Sequence, residues 1–393
     1  MMASDVLRAD RCISWRAASS AELNASVRLE QMQRPCHVKF QHECLGTCSL
    51  GTSFQGSTSS LTLKCDSDIG GAALRRILDQ HVKPPSCRLT VAGDSVQLQL
   101  WTAVVSAALQ LGYRLLDCQF NAGRDHWLGI EHGFCGATYG HAPKNASGGQ
   151  RVGSVLLPDT HSQGAASFYS SWARFGGVTN ASCAEVTVHY WEIGHRTNEI
   201  GRWARHISKP KASSLLNASS VLLLSVGTHG NSVQELHELW RVHVDPFLMH
   251  LKRTGPDTKL TGAAVSVLWL GVPAQHFYTR SGSGSYHERE PHQPCAAVNA
   301  TAAEWRDQLF AKWLEPRRPV RRWNEASTFG IYVDRPDLHG KMKNGEWDCT
   351  HYCFSPFLYQ PMWSLIEKGL QKLDSARNGT SQPAHDSVHV STV

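Results

Sequence analysis

The chain has 393 residues, of which 41% are hydrophobic and 18% are charged, and its formal net charge is +6. A chain of this length can bury a substantial core in one large domain or two ordinary ones, and its composition excludes global disorder. No segment reaches the ~20 apolar residues of a membrane-spanning helix, and no basic run is dense enough to predict a nucleic-acid partner.

The first 69 residues are rich in Cys, Ser and Gly and show little hydrophobic periodicity, which predicts an irregular segment of loops stapled by disulfides. Residues 70–373 alternate short apolar runs with amphipathic stretches. The runs predict strands at residues 88–92, 185–191, 220–226, 263–270 and 329–333, and the stretches predict helices at 70–82, 96–111, 233–252, 302–314 and 361–373. Residues 374–393 are predicted to form a disordered tail.

Nearly continuous apolar strands that alternate with helices indicate an α/β protein with a mostly parallel sheet buried between two layers of helices. We therefore expect a three-layer α/β/α domain over residues 70–373. Active sites of such sheets lie beyond the carboxyl ends of the strands, so the loops there are where catalytic residues are sought.

Cysteines and glycosylation motifs indicate an oxidising compartment. The twelve cysteines include no spaced Cys/His quartet of the zinc type, which favours a disulfide framework. Asn-X-Ser/Thr acceptors, which are typical of secreted proteins, occur at Asn24, Asn145, Asn180, Asn217, Asn299 and Asn378. The first residues contain no apolar stretch of signal-peptide length, so we expect the targeting segment, and with it any membrane attachment, to be missing from this chain. A cytosolic protein with chance acceptor motifs stays open.

The first candidate for chemistry is Ser95, in the stretch AGDS between a predicted strand and a predicted helix. A serine at the start of a helix lies near the positive end of the helix dipole, where developing negative charge is stabilised. Gly93 allows the sharp turn. Asp and Ser are also ordinary helix caps, so the stretch alone does not separate a nucleophile from a cap.

The second candidate is the stretch SVGTHGNS at residues 225–232, which follows the third predicted strand. Gly227 permits close approach of the backbone, and the Asn231 side chain offers an N–H donor, so these two residues are predicted to form an oxyanion site. His229 is interpreted as a positioning or packed histidine rather than a catalyst.

The third candidate is EWDCTHYC at residues 346–353. Asp348 and His351 face the same side on one helical turn or in a tight loop, so the carboxylate can orient the imidazole as a general base. Cys349 and Cys353 are expected to lock this loop through disulfides to other cysteines. A metal site formed by these four residues is the competing interpretation, although zinc usually takes ligands from two separated clusters.

The order Ser, Gly/Asn, Asp-X-X-His resembles the SGNH (GDSL) hydrolase superfamily. Within it, the chain is similar to the trichome-birefringence-like/PC-esterase family of polysaccharide O-acetyltransferases. The resemblance covers residues 72–363, and the similar segments within it are RLTVAGDSVQLQLW, VTVHYWEI, VLWLGVPAQHF, RPDLHG and DCTHYC. The family's Asn-Thr-Gly-His-Trp-Trp block is Ser-Val-Gly-Thr-His-Gly here, so the chain resembles a divergent member.

The resemblance implies a catalytic triad of Ser95, Asp348 and His351 and transfer of an acetyl group through an acyl-serine to a polysaccharide hydroxyl. It implies no bound cofactor or metal, an acetyl donor such as acetyl-CoA or another acetyl ester as co-substrate, and a place in the Golgi lumen, with secretion as the alternative. It also implies that Cys295 pairs with Cys349 or Cys353. A carbohydrate acetylesterase with the same triad and a non-catalytic glycan-binding protein stay open as alternative functions.

Overall fold

The structure is a computed structural model. It describes residues 14–17, 53–55, 60–64, 72–84, 86–119, 170–177, 183–192, 220–230, 232–245, 248–249, 265–317, 323–341, 346–352 and 359–378. The cysteines of the first 69 residues lie outside these ranges, so the disulfides predicted there are not described.

Three short strands lie in the segment for which the sequence predicts only loops. They are β1 (Ser14–Ala17), β2 (Ser53–Gln55) and β3 (Ser60–Lys64), and they form an antiparallel sheet in the order β1-β3-β2. The expectation of a wholly irregular segment is therefore wrong at these residues, where chain pairing overrides the weak local pattern.

The remaining elements follow in chain order. They are α1 (Ala72–Arg76, continued by a π-helical turn Ile77–His81), β4 (Arg88–Gly93), α2 (Ser95–Gln110), β5 (Arg114–Gln119), β6 (Ser170–Gly176), β7 (Glu185–Glu192), β8 (Val221–Leu224), α3 (Val233–Leu239, continued by a π-helical turn Trp240–Val244), β9 (Ser266–Trp269), α4 (Ala300–Ala303), α5 (Trp305–Leu314), β10 (Trp323–Glu325), α6 (Phe329–Tyr332), β11 (His339–Lys341), β12 (Trp347–Tyr352) and α7 (Gln360–Asn378). None of the helices within the described ranges is long and apolar enough to cross a bilayer.

Seven strands form one mixed sheet in the order β10-β9-β8-β4-β7-β6-β5. The neighbours from β10 to β7 are parallel, and β6 is antiparallel to both β7 and β5. The prediction of an α/β protein with a mostly parallel sheet is thus confirmed. β4, which leads to Ser95, lies in the middle of the sheet between β8 and β7.

Side chains alternate between the two faces of the central strands, as a pleated strand requires. Val221 and Leu223 of β8 belong to a buried cluster that includes residues of α1, α2 and α7, whereas Leu222 and Leu224 belong to a second cluster with residues of α3 and α5. Helices therefore cover both faces, which explains why these strands read as continuous apolar runs.

A cystine also joins the starts of two neighbouring strands. Cys87, directly before β4, is bonded to Cys183, two residues before β7. The sequence did not predict this pairing.

The strand predicted at residues 329–333 is wrong, because Phe329–Tyr332 form the short helix α6. The edge strand comes earlier, at β10, and the backbone contacts to β9 continue only to Thr328, whose N–H donates to Leu270. Beyond the end of the sheet the chain turns, so Phe329, Ile331 and Tyr332 reach the core from a helical turn.

Two further boundaries differ from the expectations. The helix predicted at residues 233–252 leaves α-helical geometry after Leu239, and most residues after 245 in that range lie outside the described part. The predicted disordered tail begins too early, because α7 extends to Asn378; residues 379–393 are not described.

Candidate active site

Ser95 stands at the corner where the central strand β4 meets α2, with only Asp94 between them. A Cβ atom at Gly93 would collide with the backbone oxygen of Ser225 at the end of β8, so this position requires glycine. The corner is therefore tight because strand and helix follow each other without a loop.

Asp94 caps the helix that carries Ser95. Its Oδ1 accepts the backbone N–H of Val96 at 3.0 Å, and its backbone carbonyl accepts the N–H of Leu98 at 3.1 Å. The Tyr190 hydroxyl of the neighbouring strand β7 donates to the carbonyls of Gly93 and Asp94. Ser95 is thus the first residue of a capped 16-residue helix, and its hydroxyl lies near the positive helix end.

Three side chains that are distant in sequence form a continuous relay. The Ser95 Oγ lies 2.6 Å from His351 Nε2, and His351 Nδ1 lies 2.7 Å from Asp348 Oδ2. With its ring proton on Nδ1, His351 donates to the carboxylate and accepts from the Ser95 hydroxyl. The structure brings together the nucleophile, base and orienting acid that the sequence predicts, in the arrangement that nucleophilic catalysis needs.

Asp348 and His351 reach the same side because their strand is irregular. β12 pairs with β11, but Gly340 is opposite Asp348 whereas the preceding His339 is opposite Tyr352, so three residues of β12 bulge out of the ladder. Asp348 Oδ1 closes this turn by accepting the backbone N–H groups of Thr350 and His351, both at 3.1 Å. The predicted tight loop is therefore present, although it lies inside a strand.

Long-range contacts hold the bulge, which we call the catalytic loop (residues 348–352). Cys349 is bonded to Cys295, which is one of the two pairings that the family resemblance implies. The backbone carbonyl of Cys349 accepts the N–H of His276 at 2.9 Å. The side-chain amide of Gln99, one turn after Ser95 on α2, donates to the Tyr352 carbonyl and accepts the Tyr352 N–H. The helix that begins at Ser95 thus also holds the backbone next to His351.

Burial lowers the pKa of His351, but the charge and hydrogen bond of Asp348 and the charge of Asp94 outweigh it, so the pKa lies above its ordinary value. Ser95 and His351 are only 4% and 3% exposed. A more basic imidazole is a better proton acceptor, and the charge it gains is balanced by the buried carboxylates.

The second predicted block, at the end of β8, contributes one residue that the sequence assigned and one that it did not. Gly227 is buried with a φ of +107°, and a Cβ there would lie 2.7 Å from the Phe310 ring, so only glycine fits. The His229 Nε2 lies 3.4 Å from Ser95 Oγ. His229 therefore lies next to Ser95, a contact that the sequence analysis did not predict. Asn231 lies outside the described residues.

A buried arginine ties this loop to the next one. Arg306 of α5 donates to the Gly230 carbonyl at 3.0 Å and to the Ser285 hydroxyl at 3.2 Å. Burial lowers its pKa to about 10, so it stays charged near neutral pH. Because its partners are spread over two loops, no linear pattern identifies Arg306.

The metal interpretation of residues 348–353 fits the geometry poorly. The Cys349 sulfur is bonded to Cys295 and is not a thiolate ligand, and Asp348 and His351 bind each other. Cys353 is not described. Within the part of the chain that the structure describes, no three His, Cys, Asp or Glu side chains are grouped as a metal site requires.

Comparisons with known proteins found no relative of this chain. The sequence matches no family model, and neither a curated protein nor a solved structure shows significant similarity to the chain. The site must therefore be interpreted from its own residues.

Proposed function

We propose that the chain is an O-acetyltransferase of the SGNH type, which moves an acetyl group through an acyl-serine at Ser95 to a hydroxyl of a polysaccharide. The observation that carries this proposal is the relay of 2.6 Å and 2.7 Å from Ser95 Oγ through His351 to Asp348. The central sheet covered by helices on both faces, with the serine at the end of a middle strand, is compatible with the three-layer SGNH architecture.

In the first step His351 Nε2 takes the proton of Ser95 as Oγ attacks the acetyl carbon of the donor ester. The oxyanion that forms is stabilised by the Ser95 backbone N–H at the helix end, with the backbone N–H of Gly227 and the Asn231 side chain as further candidate donors. The intermediate collapses, the carbon–oxygen or carbon–sulfur bond of the donor breaks, and His351 returns the proton to the leaving group.

In the second step a sugar hydroxyl attacks the acetyl-serine. His351 removes the hydroxyl proton and then returns it to Ser95 Oγ as the serine leaves, so the acetyl ester is on the sugar and the protein is regenerated. If water attacks instead, the same residues perform ester hydrolysis. The low exposure of Ser95 and His351 favours transfer, since a site closed to bulk water protects the acyl-serine.

The test combines labelling and product analysis on the protein expressed in a secretory host. Wild type is expected to react with a fluorophosphonate at Ser95, to turn over a chromogenic acetyl ester, and to yield acetyl-Ser95 and an acetylated oligosaccharide by mass spectrometry. Ser95→Ala is expected to lose labelling and to lower turnover by ~10⁴-fold or more, because no nucleophile remains.

Three results would count against the proposal. Turnover by Ser95→Ala near the wild-type rate would remove the nucleophile. Release of free acetate without acetylated sugar would replace the transferase by an esterase. A wild-type protein that binds the oligosaccharide, but neither reacts with the fluorophosphonate nor turns over the ester, would favour a non-catalytic glycan-binding protein.

A further inference from the structure

Two buried histidines outside the relay connect it to a distant loop. His276 follows β9 and is 0% exposed, and His339 begins β11 and is 4% exposed. Three contacts run through them in a line: His276 Nε2 to the Val333 carbonyl at 3.0 Å, His276 Nδ1 to His339 Nε2 at 2.8 Å, and His339 Nδ1 to the His351 carbonyl at 2.7 Å. The line ends on the backbone of the catalytic base.

The number of protons on the two rings determines which group donates in each of these contacts. Each contact needs one proton to be a hydrogen bond, and carbonyl oxygens supply none, whereas two neutral imidazoles carry two protons in total. Burial lowers the pKa of His339 to about 3, so His339 does not carry a second ring proton near neutral pH. The two shortest contacts are both filled when each ring carries its proton on Nδ1: His276 then donates to His339, and His339 donates to His351.

We propose that His276 and His339 position the catalytic histidine, with His276 Nδ1–H donating to His339 and His339 Nδ1–H donating to the His351 carbonyl. This inference rests on the proposed function of His351 as the base. The two histidines act through the backbone and do not touch the reacting serine, so they are positioning residues.

The geometry around the pair supports this role. The His351 carbonyl belongs to the bulge, where three residues leave the strand ladder, so His339 replaces a lost strand contact. The Tyr352 ring stacks on His339 with centroids 4.5 Å apart, and Tyr332 packs on Tyr352 at 4.6 Å. His276 also donates its backbone N–H to the Cys349 carbonyl. The pair thus holds the catalytic loop at two carbonyls, on either side of Thr350.

Two substitutions of His339 separate its two nitrogens. Asparagine places an amide N–H near the position of Nδ1, whereas glutamine places it near Nε2. His339→Asn is expected to keep kcat and the fluorophosphonate labelling rate within about threefold of wild type, and His339→Gln to lower both at least tenfold with KM nearly unchanged. His287→Gln, at an exposed histidine, serves as the control and is expected to match wild type.

The relative kcat and labelling rates of His339→Asn and His339→Gln test the positioning role of His339. Equal losses in His339→Asn and His339→Gln, or no loss in either, would overturn the positioning role. Thermal unfolding of each variant shows whether a loss of rate follows a loss of folded protein.

Nitrogen-15 NMR of the histidine rings tests the direction of these hydrogen bonds independently of enzymatic activity. Near neutral pH, both His276 and His339 are expected to carry their proton on Nδ1. A proton on Nε2 of His339 would overturn the proposal even if catalysis were found. If instead wild type fails to react at Ser95, the proposed function fails, and the NMR result still shows whether His339 donates to the His351 carbonyl.

Discussion

The serine corner and the catalytic loop are two halves of one site, and they are held in different ways. Ser95 takes its position from its immediate neighbours: Gly93 allows the turn, Asp94 caps the helix, and the strand before it lies in the middle of the large sheet. The catalytic loop belongs to the two-stranded sheet of β11 and β12. It is held mainly by residues far away in sequence, among them Cys295, Gln99 and His276, and also by His339, 12 residues before His351.

The difference indicates where the site is sensitive. The local half is expected to survive most distant substitutions, because strand, cap and helix define it together. The loop half is expected to lose its geometry when any one of its distant partners is removed, even if the sheet stays folded.

The largest effect should come from the relay itself. Asp348→Asn keeps an oxygen that can accept the backbone N–H groups of Thr350 and His351, but it offers an amide N–H or a neutral oxygen to the imidazole. We expect kcat to fall ~10⁴-fold, as when the orienting acid of a serine triad is neutralised. Steady-state turnover of a chromogenic acetyl ester measures it, and near-normal turnover would remove Asp348 from the relay.

The two described disulfides allow the comparison to be tested directly. Cys295–Cys349 spans 54 residues and ends in the catalytic loop, whereas Cys87–Cys183 spans 96 residues and joins the starts of β4 and β7. Loop-closure entropy predicts that either Cys→Ser pair loses about 4–5 kcal/mol of stability. Only the Cys295/Cys349 pair is expected to lower kcat, by about tenfold or more, in protein that chemical denaturation shows to be folded. Equal catalytic losses in both pairs would contradict the distinction.

A smaller effect is expected at the contact that joins the two halves. Gln99→Leu leaves the buried N–H and carbonyl of Tyr352 without the Gln99 amide, and unsatisfied buried groups cost about 1–3 kcal/mol each. We expect Gln99→Leu to unfold at a lower denaturant concentration than wild type and its kcat to fall severalfold. Gln97→Leu on the same helix is the control, because the buried Oε1 of Gln97 has no hydrogen-bond partner within the described ranges. A larger loss in the control would show that the helix, and not the Tyr352 contact, matters.

The smallest expected effect is a shift in pH dependence. His351 must be neutral to accept the serine proton, so kcat/KM should fall in acid with a midpoint above the ordinary imidazole value of 6.5. Asp94→Asn keeps a good helix cap but removes a charge that raises the pKa of His351, so the midpoint should move to lower pH. A pH–rate profile of both proteins tests this, and a shift to higher pH would contradict the assignment.

The sequence predicts much of the central sheet because β8 and β9 are buried along their whole length and read as apolar runs, and because β4 and β7 also contain buried apolar residues. It misses the edge strands β5 and β10 and the strand β6 next to β5, whose residues are partly exposed or few. It also assigns a strand to Phe329–Tyr332, because an apolar run does not reveal where the sheet ends.

The candidate site divides in the same way. Ser95, Asp348 and His351 stand in short linear stretches that can be singled out as candidates from the sequence, Ser95 by its strand–helix corner and the other two by their spacing. The stretches VPAQHF and RPDLHG include His276 and His339, but nothing in either stretch indicates that the two imidazoles meet. Arg306 and Gln99 carry no linear signal, because each matters only through partners on other elements.

By itself, the sequence determined the alternation of strands and helices, the turn at Gly93 and the pairing of Asp348 with His351, because these depend on interactions between near neighbours along the chain. Only the tertiary structure decided that a serine and a histidine 256 residues apart are in contact, that Cys295 bonds to Cys349, and that two buried histidines support the base. Such contacts depend on how whole elements pack, and the free energy of packing is not encoded in any one segment.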